Sequence, residues 1–326
     1  MFDFMKEWYS IKEKGKREND SVFSNLRRKM DSSENANIQH LISHIDITYV
    51  KQGLQLLDDL QPSLEEIYQS LHIPEPSSKE EWAQCLYSKE TPHRSYVKLW
   101  LLGKLWEQNI AWVMNLKKLE ISSCIPAGIT ALKQIEQLKI SNRTDTTFTI
   151  PKEFTGLKTL TIEGCSKLQI LHLSPAQLTS LEEISLSENY ELHTIQGLSE
   201  FTGLKDLYIH YSNIRDFSPL LQLTNLHRLT LSMVETFTDL QFLRNMKELN
   251  RLSIDGTQVS DLKPLQQLPK LDYLDIIWCH QITDLTPLYS LPKLSILYVT
   301  INYEESELAN QFAELKNLRP DIDLST

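Results

Sequence analysis

The chain has 326 residues, with 33 basic and 43 acidic side chains and a formal net charge of −10 at neutral pH. That balance argues against a general binder of nucleic acid or of anionic membranes, both of which call for a basic surface. The 41% hydrophobic content suffices for a packed core, and 9 glycines are too few for a collagen-like or glycine-rich disordered chain.

The first residues, MFDFMKEWYSIKEKGKREND, lack the apolar core of a secretory signal. The most hydrophobic run, YVKLWLLGKLWEQNIAWVM, is interrupted by Lys98, Lys104 and Glu107 and does not read as a membrane span. A cytoplasmic protein is expected, with signal-independent export left open. The four cysteines are widely and irregularly spaced, with no C-x-x-C pair and no disulfide framework.

Residues 1–112 show no repeat and read as a helical domain. Apolar periodicity places helices over 2–11, 22–30 and 38–60, and Pro62-Ser63 opens another over 64–71, with Glu65 and Glu66 in its first turn. The prolines of HIPEPSS make a loop, and Ser78 with Glu81 forms a capping-box pattern ahead of Trp82. Pro92 leads into a last helix carrying Tyr96, Leu99, Trp100, Leu102, Leu105, Trp106 and Ile110. His40 and His44 share a helix face, but Leu41 follows His40, so the H-E-x-x-H metal motif is absent and a surface pair is expected. Cys85, three residues after Trp82, is expected to pack and not to react. Trp100, Trp106 and Trp112 read as side chains that cover the open end of a leucine-rich stack.

From Leu116 the phrase L-x-x-L-x-L recurs: LKKLEI, IEQLKI, LKTLTI, LEEISL, LKDLYI, LHRLTL, LNRLSI, LDYLDI and LSILYV. The fourth residues of the last seven, at 160, 184, 207, 229, 252, 274 and 297, lie 22 to 24 apart. One such unit cannot bury its leucines alone and needs copies on either side. Three units add a second phrase, IRDFSPLLQL, VSDLKPLQQL and ITDLTPLYSL. The spacing of threes in that phrase suits tight helical turns, with Pro219, Pro264 and Pro287 in the first turn and Asp216, Asp261 and Asp284 as caps.

With both phrases in view, the chain resembles leucine-rich repeat proteins of the 22-residue class, such as internalin-type and phosphatase-regulator-type proteins. The resemblance covers residues 116 to about 302. It implies an α/β solenoid, a leucine-rich repeat horseshoe with a parallel concave sheet and short 3-10 turns on the convex side. The units before Leu204 lack the D-L-x-P-L phrase, so their convex segments are not specified. The expected organisation is a helical domain over 1–112, a solenoid of nine repeats over 113–302, and a capping helix and tail over 303–326. In the tail, Leu308, Phe312, Leu315 and Leu318 follow a helical spacing that Pro320 stops.

In each repeat the fourth and sixth residues point into the core and the third, fifth and seventh outward. The ninth residue meets backbone groups inside the stack, which a small polar side chain can satisfy. That position holds Cys124, Arg143, Cys165, Asn189, Ser212, Val234, Thr257, Cys279 and Asn302. Three of the four cysteines therefore have a structural place.

The early outward positions are small or charged. The later ones gather Tyr273, Asp275, Ile277, Ile296 and Tyr298, with Trp278 just beyond and Arg251 and Asp255 at the border. Aromatic anchors with a charged rim are typical of protein-binding hot spots. Tyr208 and His210 form a second candidate. No nucleophile accompanies Asp206 and His210, and the chain holds no phosphate loop and no metal-ligand spacing. The expectation is a non-catalytic protein-binding module without cofactor or metal: an adaptor, a regulator or an immunity-type inhibitor. Its partner is another protein, not nucleic acid or membrane. The alternative is an enzyme or effector with a catalytic helical domain around Cys85 and substrate-selecting repeats, a plan that resembles the leucine-rich ubiquitin-ligase effectors.

Overall fold

The computed structural model describes residues 40–41, 47–59, 67, 71, 94–107, 111–122, 133–176, 178–301 and 306–325. The helices expected over 2–11 and 22–30, the Ser78/Glu81 capping box, His44, Cys85, Cys124 and Asn302 lie outside the described residues. The chain divides into two compact units, residues 1–75 with 88–92, and residues 76–87 with 93–326. In the first unit, helix α1 (Ile47–Asp59) buries Val50, Leu54 and Leu57 along one face.

The second unit begins with α2 (Arg94–Glu107) and the short α3 (Ala111–Met114). Val97, Leu99, Trp100, Leu101, Leu102 and Leu105 are all buried, so α2 is enclosed on most sides. Lys104, partly exposed, pairs with Glu107 at 3.1 Å and sits over the Trp100 ring. The repeats start directly after α3, where the Leu116 N–H bonds to the Val113 carbonyl at 3.0 Å.

Each repeat contributes one strand to a parallel sheet. These strands are β1 (Lys118–Ile121), β2 (Gln137–Ser141), β4 (Thr159–Glu163), β6 (Glu183–Ser187), β8 (Asp206–His210), β9 (Arg228–Ser232), β10 (Arg251–Ser253), β11 (Tyr273–Ile276) and β12 (Ile296–Val299). Neighbours in sequence are neighbours in the sheet, which has 10 strands in all. The register never slips: Leu119, Leu138, Leu160, Ile184, Leu207, Leu229, Leu252, Leu274 and Leu297 form one continuous row. All nine are buried, as are the sixth-position residues from Ile121 to Val299. A slip of one residue would turn this whole set outward, which is why the register holds.

The opposite side changes character along the chain. In three early repeats it is itself a small parallel sheet of β3 (Thr147–Thr149), β5 (Ile170–His172) and β7 (Thr194–Gln196), with Phe148, Leu171 and Ile195 in register. Each of these segments buries an apolar central residue between more exposed neighbours and lacks proline, which suits a half-buried strand. From Leu198 onward that side carries 3-10 turns, at Leu198–Glu200, Ser218–Gln222, Gln241–Asn245, Lys263–Gln267 and Thr286–Ser290. Asp216, Asp261 and Asp284 each accept the backbone N–H two residues on at 2.9 Å, opening their turns. Asp239 does the same at 2.9 Å for Gln241–Asn245, which has no proline.

The ninth position is satisfied in several ways. Asn189, fully buried, accepts the Cys165 N–H at 3.1 Å and donates to the Ile162 carbonyl at 2.9 Å. Thr257 donates to the Ile254 carbonyl at 2.7 Å, and the Cys279 thiol donates to the same carbonyl at 3.0 Å. Ser212 departs from the pattern, since its hydroxyl oxygen is buried without a partner among the described residues.

The tail forms α4 (Ser306–Leu318), which packs on the last 3-10 turn. Its Gln311 side chain accepts the Leu285 N–H at 2.7 Å, and Tyr289 donates to the Gln311 carbonyl at 3.0 Å. Past Pro320 the chain returns as β13 (Asp323–Ser325), a tenth rung on β12 that hydrophobic spacing did not reveal. Arg319 fixes that return by donating to the Leu291 carbonyl at 2.6 Å and the Leu294 carbonyl at 3.1 Å.

Candidate functional site

With the fourth and sixth residues buried, the third, fifth and seventh form three rows across the open face of the sheet. Tyr273 stands between Arg251 and Ile296, and Asp275 stands between Ser253 and Tyr298. Neighbouring strands are about 4.8 Å apart, so these side chains touch across rows. The Tyr273 and Tyr298 rings lie 5.7 Å apart, and the Arg251 guanidinium carbon is 5.6 Å from the centre of the Tyr273 ring.

An open depression of about 590 Å³ lies on this face. Of the residues singled out from sequence, Tyr208, His210, Arg251, Asp255, Tyr273, Asp275 and Trp278 line it. The two candidate groups are therefore one feature. Ile277, Ile296 and Tyr298 are half-buried and do not line it. Helix α4 does not cover the aromatic residues: it bonds to the far side of the last repeats, and Trp278 remains 54% exposed.

The odd-position rule puts Arg228, Ser232 and Ser253 on the open face without assigning them to the site, and it misses Tyr211 and Met233; all five line the depression. Tyr211 and Met233 share a cause with Trp278. The eighth residue adopts a left-handed backbone in seven consecutive repeats, at Asn142, Gly164, Glu188, Tyr211, Met233, Gly256 and Trp278, with φ between 52° and 65°. Its N–H still reaches the next strand: Tyr211 bonds to the Ser232 carbonyl at 3.1 Å and Met233 to the Asp255 carbonyl at 2.8 Å. The chain must then leave the sheet at once, and the left-handed turn does this. Trp278 bonds instead to the Thr300 hydroxyl at 3.0 Å. Glycines at 164 and 256 and asparagine at 142 were the available signal, since these residues tolerate this backbone best.

The floor is polar. Asp255 accepts from the Ser232 hydroxyl and, at 2.8 Å, from the Ser253 hydroxyl. Asp275 accepts the Ile277 N–H at 3.1 Å, and its other oxygen lies 3.4 Å from Ser253 Oγ. Burial, with the nearby Asp255 charge, holds the Asp275 carboxyl above the usual carboxylate range. Burial likewise pushes His210 below the usual imidazole value, against the opposing pull of Asp255. On the neighbouring margin Arg228 pairs with Asp206 at 3.5 Å and donates to the Tyr208 hydroxyl at 3.3 Å. Asp206 is thus committed to an arginine.

The arrangement offers recognition chemistry: aromatic faces, one stacked guanidinium, and carboxylates held by neutral donors. Among the described residues no group of three or more His, Cys, Asp or Glu side chains could hold a metal ion. Cys165 and Cys279 are buried, and burial pushes both thiols up, away from the reactive thiolate. Among the described residues no helix is long and apolar enough to cross a membrane.

One strand per repeat, an unbroken row of leucine or isoleucine and 3-10 turns on the reverse side define a leucine-rich repeat protein. No protein-family model and no curated protein matches the chain. Among solved structures it is similar to internalin C2 of Listeria monocytogenes strain 4b F2365, with 27% identity over 52% of this chain and 82% of that one, and a TM-score of 0.40. It is also similar to internalin F of the same strain, with 20% identity over 69% of this chain and 87% of that one, and a TM-score of 0.38. A leucine-rich repeat protein of Leptospira interrogans shows 16% identity over 67% of this chain and 91% of that one, with a TM-score of 0.33.

Proposed function

We propose that the chain is a non-catalytic protein-binding module that engages a partner protein through the depression on the open face of its sheet. The observation that carries this reading is the display of Tyr211, 45% exposed, and Trp278, 54% exposed, on left-handed backbone beside Tyr208, Tyr273 and Arg251. A bulky side chain costs about 1–2 kcal/mol in that backbone, and an exposed aromatic returns little of it in the free protein. Aromatic and arginine side chains gathered in one depression supply large contact area to a docking protein.

The test is affinity capture with the full chain against a variant carrying Tyr211→Ala, Tyr273→Ala and Trp278→Ala. A second control carries Leu221→Ala, on the 3-10 side. Captured proteins are identified by mass spectrometry. A partner retained by the wild type and the Leu221 control and lost by the triple variant is expected. Identical recovery on all three baits would overturn the assignment.

A further inference from the structure

Several charges on the solenoid pair within the chain. On the same open face, Lys139 pairs with Glu163 at 2.7 Å. Lys158 pairs with Glu136 at 2.8 Å, Lys205 with Glu182 at 3.0 Å, and Lys270 with Glu248 at 2.5 Å, each one repeat apart. Arg251, Asp255 and Asp275 lie close together, yet none of the three is in an ion pair among the described residues. The register explains this. Arg251 stands opposite Tyr273 and stacks on its ring, while Asp275 stands opposite Ser253. The carboxylates take their hydrogen bonds from Ser232, Ser253 and the Ile277 N–H, all neutral.

The face is therefore dipolar. Row three carries the stacked Arg251, and rows five and seven carry Asp275 and Asp255. Tyr208, Tyr273 and Trp278 form apolar walls around them. Neutral donors cannot cancel two adjacent negative charges, and a cation entering between aromatic walls would gain from both the carboxylates and the ring faces.

Resting on the protein-binding reading above, we propose that the occupant is a segment of a partner protein that projects a lysine or arginine onto Asp255 and Asp275 and an acidic side chain onto Arg251. The oppositely charged pair fixes the direction in which the segment lies across the strands. Its apolar stem packs on Tyr273 and Trp278. This complementarity selects the partner and sets its orientation, with the aromatic walls supplying most of the contact area.

The experiment pans a displayed library of random short peptides against the full chain, counter-selecting on the Tyr211, Tyr273 and Trp278 triple alanine variant. Selected peptides are synthesised and titrated against wild type, Asp255→Asn, Asp275→Asn and Arg251→Glu. The asparagine variants preserve shape and one acceptor oxygen, and circular dichroism checks that each remains folded. Peptides sharing a basic and an acidic residue are expected, with affinity falling about tenfold or more on either asparagine substitution. Binding to Arg251→Glu should return when the peptide's acidic residue is replaced by lysine. Peptides that depend on the aromatic residues but ignore both asparagine variants would overturn the charge assignment and leave the protein-binding reading standing. Loss of every binding peptide at the counter-selection step, which would mean that all are indifferent to the aromatic residues, would sink both. Recovery of no peptide, or an oligosaccharide from a glycan array seated on the carboxylates instead, would also refute the proposal.

Discussion

The left-handed backbone at Trp278 gives a test that separates display from folding. Trp278 has φ of 58°, and its ring is just over half exposed. Trp278→Ala and Trp278→Gly remove the same ring and the same contacts, so they differ only in how the backbone is tolerated. An alanine held there costs about 1–2 kcal/mol, a penalty glycine escapes. Glycine loses about 0.4–1 kcal/mol through the greater freedom of the unfolded chain. The glycine variant should therefore be the more stable by about 1 kcal/mol, while both lose partner binding equally. Urea unfolding followed by circular dichroism reads the difference, since changes in tryptophan fluorescence would confound it. The control is the same pair at Tyr273, in a regular strand, where glycine should be worse than alanine by about 0.5–1 kcal/mol. An alanine variant at 278 equal to or more stable than glycine would show that the turn relaxes freely, and the strain argument would fail.

Asn189→Ala leaves the Cys165 N–H and the Ile162 carbonyl unsatisfied inside the stack; a loss of about 2–6 kcal/mol in unfolding free energy is expected, at about 1–3 kcal/mol per orphaned group. Gly197→Ala should also be clearly destabilising, because the added Cβ would lie 2.5 Å from the Leu173 carbonyl oxygen at φ of 84°, and backbone cannot move aside as a side chain can. Asp216 and Asp284 are held below the usual carboxylate value by the hydroxyl and N–H of Ser218 and Thr286. Their contribution is full above pH 3.8 and is lost as pH falls through their lower folded values, so replacing both with alanine should flatten the acid limb of a stability–pH profile. Binding of a basic peptide should weaken as pH drops from neutral, since His210 gains a proton below pH 6.5 and Asp275 gains one above pH 3.8, each removing net negative charge from the depression; unchanged affinity down to pH 4 would count against both groups.

The repeating part of the fold was readable because it depends on short-range periodicity. Leu119 to Leu297 announce the buried row, and Asp216, Asp261 and Asp284 announce the turn caps. Asp239 escaped notice because no proline accompanies it, although its bond to Gln241 is the same. The strands β3, β5 and β7 were hidden for another reason. Runs of three residues such as TFT or TIQ carry too little alternation to distinguish a strand from a loop, and their pairing is with residues a whole repeat away. β13 is equally short and pairs with β12 only after α4 has intervened. At the site, counting odd positions found Arg251, Tyr273 and Asp275. It stopped one residue short of Tyr211 and Met233, because strand alternation says nothing of the left-handed step that follows seven of the strands.

That step also bears on where function resides. At the eighth position, two of the three early repeats carry residues suited to the left-handed backbone, Asn142 and Gly164. Three of the four that follow carry Tyr211, Met233 and Trp278, which are not. Those same later repeats hold Asp255 and Asp275 side by side with no cation between them, and burial works against the Asp275 charge. Asp275→Asn should accordingly raise stability at neutral pH while abolishing the recognition assigned to it, since a carboxyl held above its ordinary value loses folding free energy once it ionises. Two unrelated departures from local preference, one of backbone and one of charge, thus fall on one depression and are sparse in the early repeats. Folding gains nothing from either. Their coincidence is what a surface shaped for a partner would require.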